Sequence, residues 1–199
     1  IRLSLVGSEM CIRDRDSPVR LLVSSGTESE PKLVAYSHNA LVGGRGRFLQ
    51  RISDDGSEFR GLYLVPLGSS FGSTATFGVL CWLGGSLAVL PRFDVSEAVK
   101  AIEQLRPSFI LGVPTMLQRI AADPALAGVD KSSLRGLICG GSLIDEATVL
   151  RCTEHFGCGF ISLYGSADGV NCHNTLDDPL DVVLNLSLIH ISEPTRLRR

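Results

Sequence analysis

The stretch "SLAVLPRFDVSEAVKAIEQLRPSFILGVPTMLQRIAAD", residues 86–123, decides the fold. It opens on an apolar run and enters a segment whose apolar residues Val95, Val99, Ile102 and Leu105 recur at steps of three and four. That spacing gathers them on one face of a helix. Asp94 stands where a helix N-cap is expected. Pro107 begins the exit, "SFILGV" (108–113) is a second apolar run, and Pro114 suits the first turn of a second helix. Neither apolar run alternates with polar residues, which marks strands buried on both faces. Strands separated by helices of this length pair in parallel.

The same alternation extends in both directions. Upstream, "VRLLVSS" (19–25) reads as a strand followed by a hydroxyl-rich loop. A helix is then expected from Ser37, a suitable N-cap, with Gly43, Gly44 and Gly46 weakening or ending it. "GLYLVPL" (61–67) reads as a strand, and "STATFGVLCWLGG" (73–85) as a buried helix ending at Gly84-Gly85. Downstream, "LRGLICGG" (134–141) and "GFISLYG" (159–165) read as strands around the helix "SLIDEATVLRCTEHFG" (142–157). The expected class is α/β, doubly wound about a mainly parallel sheet. Ligands of such sheets bind beyond the carboxyl ends of the strands. Four loops of unusual chemistry are expected there: "SSGTESEPK", "PLGSSFGS", "CGGSL" and "YGSADG".

The two ends of the chain read differently. "LVGSEMCIRD" (5–14) and "LSLIHISEPTR" (186–196) can be encoded by reverse-complementary strands of one oligonucleotide. Residues 1–15 and 186–199 are therefore read as translated sequencing-library adapter, and residues 16–185 as the protein. The whole chain has a net charge of −2. Residues 16–185 hold 13 Lys+Arg against 18 Asp+Glu, a net charge of −5. This balance offers no basic footprint for nucleic acid. No run approaches the ~20 apolar residues of a membrane span.

Within residues 16–185 the cysteines are Cys81, Cys139, Cys152, Cys158 and Cys172, an odd number without a CxxC pair. Reduced thiols in a cytoplasmic protein are the expectation. Cys152, His155 and Cys158 lack a fourth ligand at a sensible spacing for zinc, and the cysteines are read as buried thiols. Cys172-His173 is read as structural.

The first loop is the richest in chemistry. Ser24, Ser25, Thr27 and Ser29 offer hydroxyl donors, Gly26 admits a close backbone approach, and Lys32 adds positive charge. Such a loop can hold polyphosphate; a solvated Ser/Thr turn has the same composition. No Gly-Lys-Ser/Thr follows Gly26 at the spacing of a Walker loop. "GGRGRF" (43–48) follows a helical stretch, so it is read as a helix terminus and not a dinucleotide fingerprint.

Taken in order, these loops resemble the adenylate-forming ligases: acyl- and aryl-CoA synthetases, luciferases and peptide-synthetase adenylation domains. Ser25-Gly26-Thr27-Glu28-Ser29-Glu30-Pro31-Lys32, with Ser37-His38 downstream, is similar to S-G-T-T-G-x-P-K followed by a Ser/Thr-His pair. Pro66-Leu67-Gly68-Ser69-Ser70-Phe71-Gly72 is similar to P-L-x-H-x-x-G. Val113-Pro114 and Gly140-Gly141 fall where the family has the same pairs, and Tyr164-Gly165-Ser166-Ala167-Asp168 is similar to Y-G-x-T-E.

The resemblance implies a partial N-terminal, larger domain of such an enzyme over residues 16–185. It implies ATP, Mg²⁺ and coenzyme A as the molecules handled, with a small carboxylic acid as substrate. Ser24, Ser25, Gly26, Thr27, Ser29 and Lys32 would cradle phosphates, with Gly165 and Ser166 contributing to nucleotide binding. Gly140, Gly141 and Ser142 would wall the adenine and acyl group, and Tyr164 would stack on adenine. Asp168 would hold Mg²⁺ and, with Lys32, serve catalysis. Ser69, Ser70, Phe71 and Gly141 would shape the acid pocket.

The departures are Ser29 for glycine, Ser69 for histidine, Ala167 for threonine and Asp168 for glutamate. The family's Thr-Gly-Asp segment and its C-terminal lysine domain have no counterpart after Asp181, so no adenylation is expected from the chain as written. An adenylation domain loading a carrier-protein thiol, and a nucleotide-binding α/β module without chemistry, are the alternative expectations.

Overall fold

The computed structural model describes residues 15–23, 31–53, 56–73, 75–167, 169 and 171–185. Its eight strands are β1 (Pro18–Val23), β2 (Leu33–Ser37), β3 (Arg60–Tyr63), β4 (Ser86–Val89), β5 (Phe109–Gly112), β6 (Gly136–Gly140), β7 (Gly159–Gly165) and β8 (Asn171–His173). The α-helices are α1 (Arg47–Ile52), α2 (Val95–Leu105), α3 (Pro114–Ala121), α4 (Glu146–Phe156) and α5 (Leu180–Asn185). Two wider π-helical segments, Ala40–Gly46 and Ala75–Trp82, and one 3₁₀ turn, Pro124–Gly128, complete the elements.

Six strands form the central sheet in the order β4-β3-β5-β6-β7-β8. β4, β3, β5, β6 and β7 are parallel, and β8 returns antiparallel to β7. The chain runs outward from β3 to β4, then crosses back to lay β5 on the other side of β3. Connections therefore diverge between β3 and β5, the kind of switch that opens a crevice at the carboxyl edge.

Alternate side chains of these strands feed two cores. Leu62, Ile110, Leu137, Cys139 and Phe160 pack with Val99 and Ile102 of α2, Leu117 and Ile120 of α3, and Val149, Cys152 and Phe156 of α4. Tyr63, Phe109, Leu111, Ile138, Ile161 and Leu163 face the other way, onto Phe48, Leu49 and Ile52 of α1 and Val79. Every residue of β5 and β6 is buried. This is the doubly covered parallel sheet that the unbroken apolar runs require.

The helix ends follow their capping residues. Asp94 accepts from the Glu97 amide, and Arg106 ends α2 in the left-handed region at φ 46°. Asp145 accepts from the Thr148 amide, so α4 starts at Glu146 and not at Ser142 as its apolar pattern suggested. Gly157 closes it at φ 66°.

The N-terminal part departs from expectation. β1 is not a strand of the parallel sheet: it pairs antiparallel with β2 in a separate two-stranded hairpin. Residues 33–37, expected to lead directly into a helix, form its second strand. Ser37 nonetheless caps the helical winding that follows, its Oγ accepting from the Ala40 amide at 3.2 Å. Gly43, Gly44 and Gly46 do not end that winding; it widens to a π-helix across them and continues as α1. The segment Ala75–Trp82 is helical but only half sunk, with Val79 buried while Leu80 and Trp82 are exposed.

Candidate functional site

The carboxyl edge of the sheet carries three of the four singled-out turns. The turn after β3 is pinned by Ser69. Its Oγ donates to the Pro66 carbonyl at 2.8 Å and lies 2.9 Å from the Gly72 amide, which donates to it. The Ser69 amide also reaches Pro66 O at 3.0 Å, and Ser73 Oγ donates to Ser70 O at 2.7 Å. Gly72 is obligatory here, since a β-carbon on it would collide with the Pro66 carbonyl. Ser69 thus shapes its own loop, while Phe71 packs partly buried against the core beneath it.

The turn after β6 follows from two glycines with different reasons. Gly140 pairs with Leu163 of β7, and a β-carbon on Gly140 would lie 2.5 Å from the Leu163 carbonyl oxygen. Gly141 has φ 87°, a left-handed geometry that glycine adopts without penalty. Its missing side chain would meet only Val113, at 3.3 Å. Val113, which leads into α3, and the Gly140-Gly141 pair therefore sit side by side on successive strands, presenting a low floor. Ser142 and Leu143 are exposed beyond it.

The turn after β7 adjoins that floor. Tyr164 is half-buried and pairs with Cys172 of β8; Gly165 is exposed and Ser166 half-buried. The Gly169 amide closes the turn on the Ser166 carbonyl at 3.2 Å. β8 is held to this edge by Asn174, whose Oδ1 accepts from Ser162 N at 2.7 Å. Its Nδ2 donates to Phe160 O at 2.9 Å and Thr175 O at 3.0 Å. His173 sets its Nδ1 2.9 Å from the Asn174 carbonyl and its ring edge-on to Phe48, centroids 4.8 Å apart, a packing role.

Residues Ser24, Ser25, Gly26, Thr27, Ser29 and Asp168 lie outside the described residues. The strands that bracket 24–30 are described, and they join the same edge. Arg20 of β1 donates from Nη2 to the Leu67 carbonyl in the β3 turn at 3.0 Å. Tyr36 of β2 donates from its hydroxyl to the Ala167 carbonyl in the β7 turn. Lys32, exposed, immediately precedes β2. The first loop thus leaves a hairpin fastened across the rim and not the end of a parallel strand. Sequence reading passed over Arg20 and Tyr36.

The sequence profile of the AMP-binding enzyme family matches residues 7–186. The chain belongs to that family. It is 32% identical to a feruloyl-CoA synthase of Amycolatopsis over 157 residues, 77% of this chain and 31% of that one. It is 30% identical to the 2-hydroxy-7-methoxy-5-methyl-1-naphthoate–CoA ligase of Streptomyces carzinostaticus, over 85% of this chain and 32% of that one. Among solved structures it superposes on the amide bond synthetase McbA of Marinactinospora thermotolerans with a TM-score of 0.73 and 26% identity. That match covers 82% of this chain and 33% of the other. The chain spans about a third of the length of the curated relatives it matches. Its mainly parallel sheet is the fold of part of the larger domain of an adenylate-forming enzyme.

Cys139 and Cys152 are buried. Burial pushes the Cys152 thiol up to about 11 and the Cys158 thiol up to about 12, and raises Cys139 further still. At neutral pH burial favours the protonated form of all three thiols. No group of three metal-ligating side chains is found among the described residues. Among them, too, no helix is long and apolar enough to cross a membrane.

Proposed function

We propose that this chain is the nucleotide-binding part of an AMP-forming acid–CoA ligase. The observation that carries the reading is the convergence of the Pro66–Gly72, Gly140–Ser142 and Tyr164–Ala167 turns on one sheet edge, with the hairpin around residues 24–32 tied across them by Arg20 and Tyr36.

The work such a site must do is positioning and charge neutralisation. An oxygen of the substrate carboxylate bonds to the α-phosphorus of ATP as the bond to pyrophosphate breaks, giving an acyl-adenylate. The coenzyme A thiolate then bonds to the acyl carbon and AMP leaves. Hydroxyls of Ser24, Ser25, Thr27 and Ser29, the Gly26 backbone and the Lys32 ammonium would hold the β- and γ-phosphates. Tyr164, half-buried at the rim, offers a ring face to adenine, with Gly165 and Ser166 alongside. Gly140, Gly141 and Ser142 would wall the adenylate, with Gly141 exposed at the rim. Ser70, Phe71 and Gly141 border the acyl side. Ser69 acts there by fixing the loop, its hydroxyl being engaged within it.

Mg²⁺ would supply charge neutralisation at the phosphates. Asp168 is the carboxylate available to hold it, which suffices for an ion that commonly takes one or two carboxylates plus phosphate oxygens. The free cysteines among the described residues, none in a CxxC pair, favour a reducing, cytoplasmic setting.

Titration calorimetry with ATP and with AMP tests the reading. ATP binding that weakens at least tenfold in Lys32→Ala and in Tyr164→Ala supports it. A chain that binds neither nucleotide overturns it.

A further inference from the structure

Thr148 joins two helices that apolar packing already holds together. Leu117 and Ile120 of α3 and Val149, Cys152 and Phe156 of α4 are buried in one core. Thr148 itself is 2% exposed, and its hydroxyl is bonded on both sides. Gln118 of α3 donates from Nε2 to Thr148 Oγ1, and Thr148 Oγ1 donates to Asp145 Oδ1. The end groups fix that direction. A carboxylate only accepts and an amide nitrogen only donates, so the hydroxyl proton points at Asp145. The Thr148 amide donates to the same Oδ1 at 2.8 Å. Gln118 thus reaches the N-cap of α4 through one hydroxyl. That cap is where the turn after β6 ends. Gly141, Ser142 and Leu143 are exposed, Ile144 is half-buried against the core shared by α3 and α4, and Asp145 closes the loop. Gln118 lies one turn into α3, and the residue that leads into α3 is Val113. Val113 is also the residue that Gly141 faces, its Cγ1 3.3 Å from where a β-carbon on Gly141 would stand. The two sides of that gap are therefore tied to each other, Val113 through α3 and Gly141 through the loop, by Gln118, Thr148 and Asp145.

We infer that Gln118 and Thr148 are positioning residues that set the gap between Val113 and Gly141, and with it the fit of the acyl group beside the adenylate. The inference rests on the ligase reading above, in which Gly141 borders the acyl side. Removing the Thr148 hydroxyl leaves Asp145 its bond from the Thr148 amide, so α4 stays capped. The buried apolar contacts keep α3 and α4 together. What is lost is the tie between the loop and α3. Gly141 can then drift from Val113, and an acyl group fitted between them loses contact. A nucleoside without an acyl group does not use that gap.

Thr148→Val and Gln118→Met in the full chain test this, since each keeps the bulk of the side chain and removes the hydrogen bond. Circular dichroism and Tm check that the helices are retained, and should one variant fail to fold the other decides. The probes are sulfamoyladenosine and its acetyl, hexanoyl and benzoyl derivatives, which stand in for acyl-adenylates, followed by titration calorimetry. In the wild-type chain at least one acyl derivative is expected to bind tighter than sulfamoyladenosine. In each variant that advantage is expected to fall about fivefold, the scale of one lost hydrogen bond. Sulfamoyladenosine itself is expected to stay within about twofold. Thr148→Ser keeps the hydroxyl and is expected to retain the advantage. An acyl advantage unchanged in either folded variant, or absent from the wild type, overturns the inference and leaves Gln118 and Thr148 a packing contact between helices. A wild-type chain that binds no sulfamoyladenosine at all overturns the ligase reading itself, and this inference with it.

Discussion

The Leu163 carbonyl oxygen lies 2.5 Å from the point where a side chain would begin on Gly140. β6 and β7 pair so closely at the rim that only hydrogen fits between them. Gly140→Ala is therefore expected to lower stability by about 1–3 kcal/mol, the usual cost of overpacking. Equilibrium urea denaturation checks it; an unchanged midpoint would show that the strands separate there without penalty.

Asn174 carries the second prediction. It is 2% exposed and bonds three main-chain groups, at Ser162, Phe160 and Thr175. Asn174→Ala removes these bonds and leaves buried amide and carbonyl groups unpaired, with an expected loss of about 2–4 kcal/mol. Loss of protection at the Ser162 amide in hydrogen exchange is the local readout.

The thiols fix the alkaline limb. Burial raises Cys152 to about 11 and Cys158 to about 12, from an ordinary value of 9.0. Between about pH 9 and 12 the unfolded chain loses thiol protons that the folded chain keeps. Stability is therefore full below pH 9 and falls as pH rises through that window. Cys158→Ala is expected to flatten the fall. At neutral pH the exposed Cys81 reacts with a thiol reagent well before Cys139, Cys152 or Cys158, as mass spectrometry of labelled peptides would reveal.

The caps fix the acid limb. The Thr148 hydroxyl and amide hold Asp145 below the usual carboxylate range, and the Ser96 hydroxyl with the Glu97 amide does the same for Asp94. Their contribution is present above the ordinary carboxylate pKa and is lost as pH falls through the lowered folded values. Asp145→Asn keeps an oxygen for the Thr148 amide but cannot titrate. Its Tm is expected to change less than that of wild type between pH 5 and pH 2.

What was legible in the sequence was whatever the local pattern determines alone. β3, β5, β6 and β7 and α2, α3 and α4 were readable because apolar runs and helical spacing are set by burial on the two sheet faces; β4 was readable as a strand, but at the sheet edge it is exposed or half-buried and not covered on both faces as its apolar run suggested. The three described rim turns were readable because glycine, proline and serine report turn geometry directly. The hairpin was not readable. β1 and β2 owe their pairing to contact with each other, and Leu21, Val23 and Leu33 are exposed, so no burial pattern distinguished them from a parallel strand and a helix entry. β8 was missed because three residues held through Asn174 leave no periodic trace. Tyr36 was missed because its contact is with a residue over a hundred positions away.

The return of the chain across β3 has a consequence for synthesis. As the polypeptide leaves the ribosome, β3 gains its first partner when residues 86–89 emerge, but its opposite edge must wait for residues 109–112. Until then Gly61, Leu62 and Tyr63, all buried in the finished sheet, present bare backbone donors and acceptors to whatever is near. In that interval the nascent chain is open to wrong partners along this edge, which a chaperone that shields apolar strands would cover.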